Sequence, residues 1–280
     1  MNIAVTGASG FIGCRLTARF EAEGHVVRTI SLRQPLSEDA FTGCDGVVHL
    51  AGESVAQRWS REVKQRILDS RVNGTRSLVE AMRQHPPRVL ISASAVGYYG
   101  SRGDDILTEE EPPGNDFLAG VCAAWEREAM EAAKLHARVV TLRIGMVLGA
   151  GGGALQRMLR PFRLGAGGRI GGGRQWMSWI HINDLCDLIL FAARGNSLSR
   201  AVNAVSPNPV KNADFTQALA RTLRRPALFP LPSFAVQIVF GEMSELLLAS
   251  QRALPEAALR AGFTFQHAEI SQALKDVLTA

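Results

Sequence analysis

Apolar and polar residues along this chain fall into two kinds of block. Short runs rich in Val, Ile, Leu and Ala occur at 1–5, 25–32, 46–50, 88–92 and 137–145. Between them lie longer segments, 14–23, 59–84 and 115–135, whose apolar residues recur every three or four positions. The short runs read as strands and the periodic segments as helices. Gly24 ends the first helix and Pro86-Pro87 stop the second. The run 137–145 is apolar enough to be covered on both faces, as in a parallel sheet. Strands alternating with helices predict βαβ units with right-handed crossovers, and so an α/β doubly wound parallel sheet.

The first strand leads into Thr6-Gly7-Ala8-Ser9-Gly10-Phe11-Ile12-Gly13 and then a helix. A strand, a glycine turn and a helix N-terminus present free N–H groups and a positive dipole end to a pyrophosphate. Gly7 would permit the turn, Gly10 the close approach of backbone to ligand, and Gly13 the packing of helix on strand. The sheet is therefore expected to be of the Rossmann, dinucleotide-binding type.

The pattern changes at Gly149. Residues 149–174 are glycine-rich and hold five arginines around a helical piece at 154–164. Such a stretch serves either as a lid over an anionic ligand or as an exposed connector. From Val202 onward, prolines punctuate short helices and strands. The expected organisation is a cofactor-binding part, 1–148 plus about 180–204, and a smaller substrate-side part, about 149–179 and 205–280.

Composition narrows the class. The 280 residues are 46% hydrophobic and 20% charged, as in a folded globular protein. No apolar run reaches the length of a membrane span, and the opening run reads as a strand and not a signal peptide. No membrane partner is expected. Cys14, Cys44, Cys122 and Cys186 lack paired metal-ligand spacing, which implies reduced thiols, no metal site and a cytoplasmic setting. The net charge of +5 raises nucleic-acid binding, but the basic residues are dispersed without interleaved aromatics, so no such partner is expected.

The end of the second strand indicates which nicotinamide cofactor the fold takes. An acid there would take the ribose hydroxyls and repel a 2′-phosphate. This chain reads Thr29-Ile30-Ser31-Leu32-Arg33-Gln34, with no acid. Ser31 can donate one hydrogen bond and Arg33 a guanidinium fork, which favours NADP(H); the alternative for Arg33 is an ordinary solvated loop position. The small residues of His49-Leu50-Ala51-Gly52 would let the backbone pass beside the adenosine, although a structural turn has the same need.

With these residues in view, the chain resembles the extended short-chain dehydrogenase/reductases, and within them the atypical YfcH-like epimerase family proteins. The matching stretches are TGASGFIG at 6–13, HLAGE at 49–53, SRVNGTRSLVEA at 70–81, SAVGYYG at 94–100 and PPGNDFLAGVCAAWE at 112–126. RIGMVLGAGGGAL at 143–155, GRQWMSWIHINDL at 173–185 and PLPSFAVQIVFGE at 230–242 extend the likeness over essentially the whole chain. The resemblance implies an NADP(H) site lined by Thr6, Gly7, Gly10, Phe11, Ile12, Gly13, Ser31, Arg33, Leu50, Ala51, Arg71 and Val147. Arg71 carries two readings, a cofactor phosphate or ribose contact and plain surface charge. A homodimer through helices 59–84 and 115–135 is one arrangement found in such enzymes.

Members of that superfamily use a Ser or Thr beyond the fourth strand and a Tyr-x-x-x-Lys pair on the next helix. Aligning Glu126 with the glutamate downstream of that pair puts Leu118 at the tyrosine position and Cys122 at the lysine position. Leucine has no proton to give, and a thiol has no positive charge to depress a neighbour's pKa. Ser94 is the expected hydroxyl residue, and Tyr98 and Tyr99, the two tyrosines of the chain, are the substitute proton donors, with packing as their other role. Cys122 reads as a thiol acid or a buried structural residue, and His181 as an acid/base or a packing and capping residue. Arg143 and Arg163 would suit an anionic substrate. Two functions follow: an NADP(H)-dependent oxidoreductase or epimerase acting on an unidentified small molecule, and a non-catalytic NADP(H)-binding sensor.

Overall fold

A computed structural model describes residues 1–279. Six parallel strands, β1 (Asn2–Thr6), β2 (Val26–Ile30), β3 (Gly46–His49), β4 (Val89–Ala95), β5 (Arg138–Ile144) and β6 (Arg200–Ala204), form the central sheet. Their spatial order is β6-β5-β4-β3-β1-β2, so the order reverses beside β1, where the crevice of an open α/β sheet forms. The helices are α1 (Phe11–Ala22), α2 (Arg61–Ala81), α3 (Phe117–Met130), α4 (Gly153–Arg163), α5 (Ile182–Arg194), α6 (Asn212–Leu223), α7 (Ser233–Phe240), α8 (Ser244–Leu248), α9 (Glu256–Arg260) and α10 (Ile270–Thr279). The parallel sheet flanked by helices meets the sequence expectation.

Alternation along each strand distributes its side chains to two cores. Ile3, Val5, Val48, Ile91, Val140 and Leu142 pack with Leu16 and Phe20 of α1 and Leu185, Leu188 and Ile189 of α5. Ala4, Val47, Leu90 and Val139 point the other way, toward Leu78 and Val79 of α2 and Ala129 of α3. Each fully buried aliphatic side chain contributes about 1.5–3 kcal/mol. A further cluster joins Leu155, Leu159 and Phe162 of α4 to Phe215 and Leu219 of α6 and Leu274 and Val277 of α10, around Trp179.

Several boundaries differ from the sequence reading, each for a local reason. Helix α1 starts at Phe11, directly after the glycine turn, and not at 14. Ser60 caps α2 by accepting from the Val63 N–H, and Asp116 caps α3 by accepting from Ala119 N. Each such cap is worth about 1 kcal/mol. The end of α3 tightens into a 3-10 turn at Glu131–Leu135, closed by His136 at φ 61°. Strand β4 continues to Ala95 because its register with β5 does, pairing Ser94 with Arg143 and Ala95 with Ile144. Ser94 therefore stands inside the strand and not beyond it.

The glycine-rich stretch after β5 is held at both ends. Phe11 lies against Gly149, Gly152 and Gly153, and residues 167–171 run beside 229–231. No helix among the described residues is long and apolar enough to cross a membrane. Cys14, Cys44, Cys122 and Cys186 are all free thiols.

Candidate functional site

The glycine turn sits at the crevice. Gly7 has φ 71°, a conformation that favours glycine, and Gly10 N donates to Gly7 O at 2.9 Å. A Cβ on Gly7 would meet Ala51 N at 2.9 Å, so the β1 turn and the β3 turn touch through bare backbone. A Cβ on Gly13 would lie 2.7 Å from Ala8 Cα, against the turn itself. Gly10 is the N-cap of α1 and offers no side chain to the helix N–H groups, which leaves them for a ligand.

Around this turn stand most of the expected cofactor residues. Leu50 and Ala51 follow β3, half-buried. Ser31 and Arg33 follow β2, both exposed, with Arg33 N donating to Ser31 Oγ at 3.3 Å. Phe11 and Ile12 are half-buried, and Val147 is buried in the short strand Met146–Leu148. Thr6 differs from its assignment. The residue is fully buried, its hydroxyl 2.6 Å from His49 Nδ1 and its carbonyl accepting from Leu50 N, so it braces the turn from beneath.

His49 has no role in the sequence reading beyond its motif. Its Nε2 lies 2.9 Å from Thr75 Oγ1, so one ring ties β1, β3 and α2 together. Burial first, and the Arg71 charge second, push its pKa down to about 4. A folded-state pKa below the ordinary histidine value means stability that is present above about pH 6.5 and lost as pH falls toward 4. The shift corresponds to about 3 kcal/mol. Urea denaturation across that window should show the loss in the parent protein, and His49→Gln should flatten it.

Arg71 is neither surface charge nor exposed. It is half-buried, donating to Glu53 O at 2.9 Å and Ile67 O at 3.2 Å, with its guanidinium 5.0 Å from the Trp125 ring. Burial lowers its pKa, opposed by Cys122 and Glu53. Cys122 is buried on α3, and burial, with Glu126, pushes its thiol up to about 11. That value describes a neutral structural thiol and not a nucleophile. Leu118, one turn earlier, packs over Gly97 and joins an apolar cluster with Trp59, Phe117, Val121, Phe240 and Met243.

The remaining candidates converge on one ion pair that sequence reading did not assemble. Arg143 grips Glu126 through two bonds, Nε to Oε1 at 2.9 Å and Nη2 to Oε2 at 3.0 Å. Ser94 Oγ donates to the same Glu126 Oε1 at 2.7 Å and, at 3% exposed, is enclosed with the pair and not presented to solvent as a catalytic hydroxyl would be. Tyr98 lies with its ring 3.5 Å from the Arg143 guanidinium carbon. Burial opposes the arginine's charge, but the hydrogen bond and charge of Glu126 outweigh it and raise its pKa. Arg143 is 4% exposed and fully engaged inside the protein, so it is not the substrate-facing cation that the sequence suggested.

Tyr99 is also corrected. It is 0% exposed, its hydroxyl donates to Asn203 Oδ1 at 2.7 Å and accepts from Arg143 at 2.9 Å. Burial pushes its pKa up to about 12. It is a core residue. Tyr98 is half-buried, its pKa raised by burial, and it keeps a path to solvent.

The residues at 181–184 are structural. His181 caps α5 by accepting from Asn183 N through Nδ1 at 3.2 Å, and Asp184 accepts from the backbone of Gln266 and His267 at 3.0 Å each. His181, His267 and Asp276 lie together, yet the cap places the neutral ring's proton on Nε2, the atom facing Asp276. The His181 and His267 rings are stacked, 3.7 Å between centroids.

Comparison with known proteins agrees with this architecture. Residues 3–204 match the NAD dependent epimerase/dehydratase family, and 231–277 match a domain of unknown function, DUF1731. An epimerase family protein of Mycobacterium tuberculosis is 43% identical, over 97% of this chain and 96% of its own. A chloroplastic epimerase family protein of Arabidopsis thaliana is 38% identical, over 99% and 87% respectively. The crystal structure of human epimerase family protein SDR39U1 (isoform 2) with NADPH superposes with a TM-score of 0.91 at 36% identity, covering 100% of this chain and 99% of that one. The chain therefore belongs to the NAD dependent epimerase/dehydratase family and is an SDR39U1-like epimerase family protein with the DUF1731 region at its C-terminal end.

Proposed function

We propose that the chain is an NADP(H)-dependent oxidoreductase or epimerase-like enzyme acting on a small molecule. The observation that carries the cofactor choice is the exposed Ser31/Arg33 pair at the end of β2, where no acid stands to repel a 2′-phosphate. The uncapped N-terminus of α1 suits the pyrophosphate, and the NADPH bound by the human relative supports the same assignment. When bound, the nicotinamide supplies a hydride donor or acceptor. Residues Gly7 to Gly13 hold the pyrophosphate, Ser31 and Arg33 the 2′-phosphate, and Leu50, Ala51, Phe11, Ile12 and Val147 flank the cofactor. Arg71, beside Cys122, supplies the cation that typical members of the wider superfamily place on a lysine. Tyr98, half-buried over Arg143, serves as proton donor, and Ser94, buried with its proton on Glu126, fixes the ion pair beneath it. Residues 149–179 and 205–280 form the substrate side. The free thiols fit a reducing compartment such as the cytoplasm.

Removing the Arg33 guanidinium tests the cofactor assignment. Arg33→Ala should weaken NADPH binding about tenfold or more and leave NADH unchanged, since a charged hydrogen bond contributes about 1.5–3 kcal/mol. Fluorescence titration of both nucleotides measures it. Unchanged NADPH affinity removes Arg33 from the site.

A second reading, a non-catalytic NADP(H)-binding sensor, is favoured by Leu118 and Cys122, which place apolar packing and a neutral thiol where typical members of the wider superfamily have the Tyr-Lys pair. A panel of carbonyl compounds and sugar nucleotides with NADPH consumption as readout separates the two. Turnover abolished by Tyr98→Phe supports the enzyme. No turnover on any substrate, with NADPH binding intact, supports the sensor.

A further inference from the structure

One surface of the molecule combines exposed apolar side chains with arginines and has no acidic residue in its sequence stretches. Residues 226–231 run alongside 165–171: Phe229 N donates to Gly167 O at 3.4 Å, Leu231 N to Arg169 O at 2.9 Å, and Gly171 N to Leu231 O at 2.8 Å. Leu164, Leu228 and Phe229 on these strips lead directly into Phe234, Ile238 and Val239 of α7, and all six are between 59% and 76% exposed. Phe234 and Ile238 stand one turn apart on one face of the helix. The other face is committed inward, with Val236 buried and Phe240 packed in the Trp59 and Leu118 cluster. Single exposed leucines are ordinary, but a continuous group of this size marks a docking surface.

The stretches that carry this surface hold charge of one sign, and Glu242, just beyond α7, is paired with Lys64. No Asp or Glu occurs from 132 to 183 or from 215 to 241. The same stretches place Arg160, Arg163, Arg169, Arg224 and Arg225 on the exposed side. Segments 160–169 and 224–231 are neighbours in space, so the arginines border the apolar group.

We propose that this surface seats the protein on an anionic lipid bilayer. The apolar side chains enter the boundary between headgroups and acyl chains, and the arginines meet the lipid phosphates. Apolar side chains beside unopposed cations are the chemistry of a monotopic contact. A second copy is a poorer occupant, because a two-fold contact through this patch would set the two arginine borders against each other. The proposal departs from the sequence expectation of no membrane partner: the contact is made by a folded face, which a count of consecutive apolar residues does not register.

The test is co-sedimentation of the full chain with sucrose-loaded vesicles of phosphatidylcholine alone or of equal phosphatidylcholine and phosphatidylglycerol. Partition onto the anionic vesicles should be at least about tenfold stronger, and should weaken when salt is raised well above about 0.1 M. Phe234→Ser with Ile238→Ser should reduce it about tenfold or more. Arg160→Glu with Arg163→Glu should do the same. Leu228→Gln with Phe229→Gln, outside any helix, gives an independent apolar deletion should the α7 pair unfold. Melting temperature and NADPH titration of each variant report that the fold is intact. No partition, equal partition onto both vesicles, or folded variants that sediment like the parent would overturn the proposal. So would a dimer, seen by analytical ultracentrifugation, that the Phe234→Ser with Ile238→Ser variant dissociates while the parent ignores vesicles.

Discussion

Replacing Glu126 by alanine is expected to lower the free energy of unfolding by about 3–5 kcal/mol, the cost of leaving a buried guanidinium without its carboxylate. Both ends of the pair are inside the protein, with side chains 4% and 12% exposed, so solvent screens the charge little. Glu126 also accepts the Ser94 proton, and its loss strands that hydroxyl as well. Urea denaturation of the single variant measures the total. Combining Glu126→Leu with Arg143→Met should recover much of the loss, because a well-packed apolar pair is often as stable as a buried ion pair. A single variant within about 1 kcal/mol of the parent would mean that water reaches Arg143. The double variant also bears on function. If the Arg143–Glu126 pair positions the Tyr98 ring, a stable double variant should still bind NADPH and turn over poorly.

Gly13→Val is the second large effect. The new Cβ would overlap the Ala8 backbone, which is chain and cannot rotate away. Overpacking of this kind costs about 3 kcal/mol or shifts the turn. A shifted turn re-aims the N–H groups at the start of α1, so loss of NADPH fluorescence enhancement should accompany the fall in melting temperature. Gly120 is the matched control. It lies inside α3, and a methyl group added there would meet nothing within 4 Å, so Gly120→Ala should stabilise by about 0.5–1 kcal/mol. Opposite signs at two helical glycines distinguish packing from backbone entropy.

The parts of this protein that sequence makes legible are those with a local cause. The glycine turn, the strand and helix alternation and the acid-free end of β2 each depend on residues within a few positions of one another. Helix ends are less legible, since Ser60 and Asp116 set the starts of α2 and α3 through single side-chain oxygens that the apolar periodicity does not reveal. The polar network is different in kind. Ser94, Glu126 and Arg143 come from three separate elements, and only the β4 and β5 register brings Ser94 opposite Arg143. Nothing local to Arg143 says that it faces inward beneath Tyr98. Likewise, the Thr6-His49-Thr75 chain joins three elements through hydrogen bonds that no spacing rule encodes. The arginines are dispersed along the chain, and the two acid-free stretches become one surface only when 165–171 and 226–231 lie side by side.

Phe11 also carries a consequence for how this chain tolerates change. Its ring occupies the space that side chains on Gly149, Gly152 and Gly153 would need, with Cγ 2.8 Å from the Cβ position at Gly152. Neither 149 nor 152 has a positive φ, so the prohibition at 152 is set by the residue at 11, while 149 is closed by Ile182 as well, whose Cβ lies 3.0 Å from the same position. Gly153, at φ 69°, is constrained twice over. A smaller residue at 11 would lift the restriction at 152 and leave those at 149 and 153. Drift at these sites should be ordered: the aromatic ring shrinks first, and alanine or serine appears at 152 only in its wake.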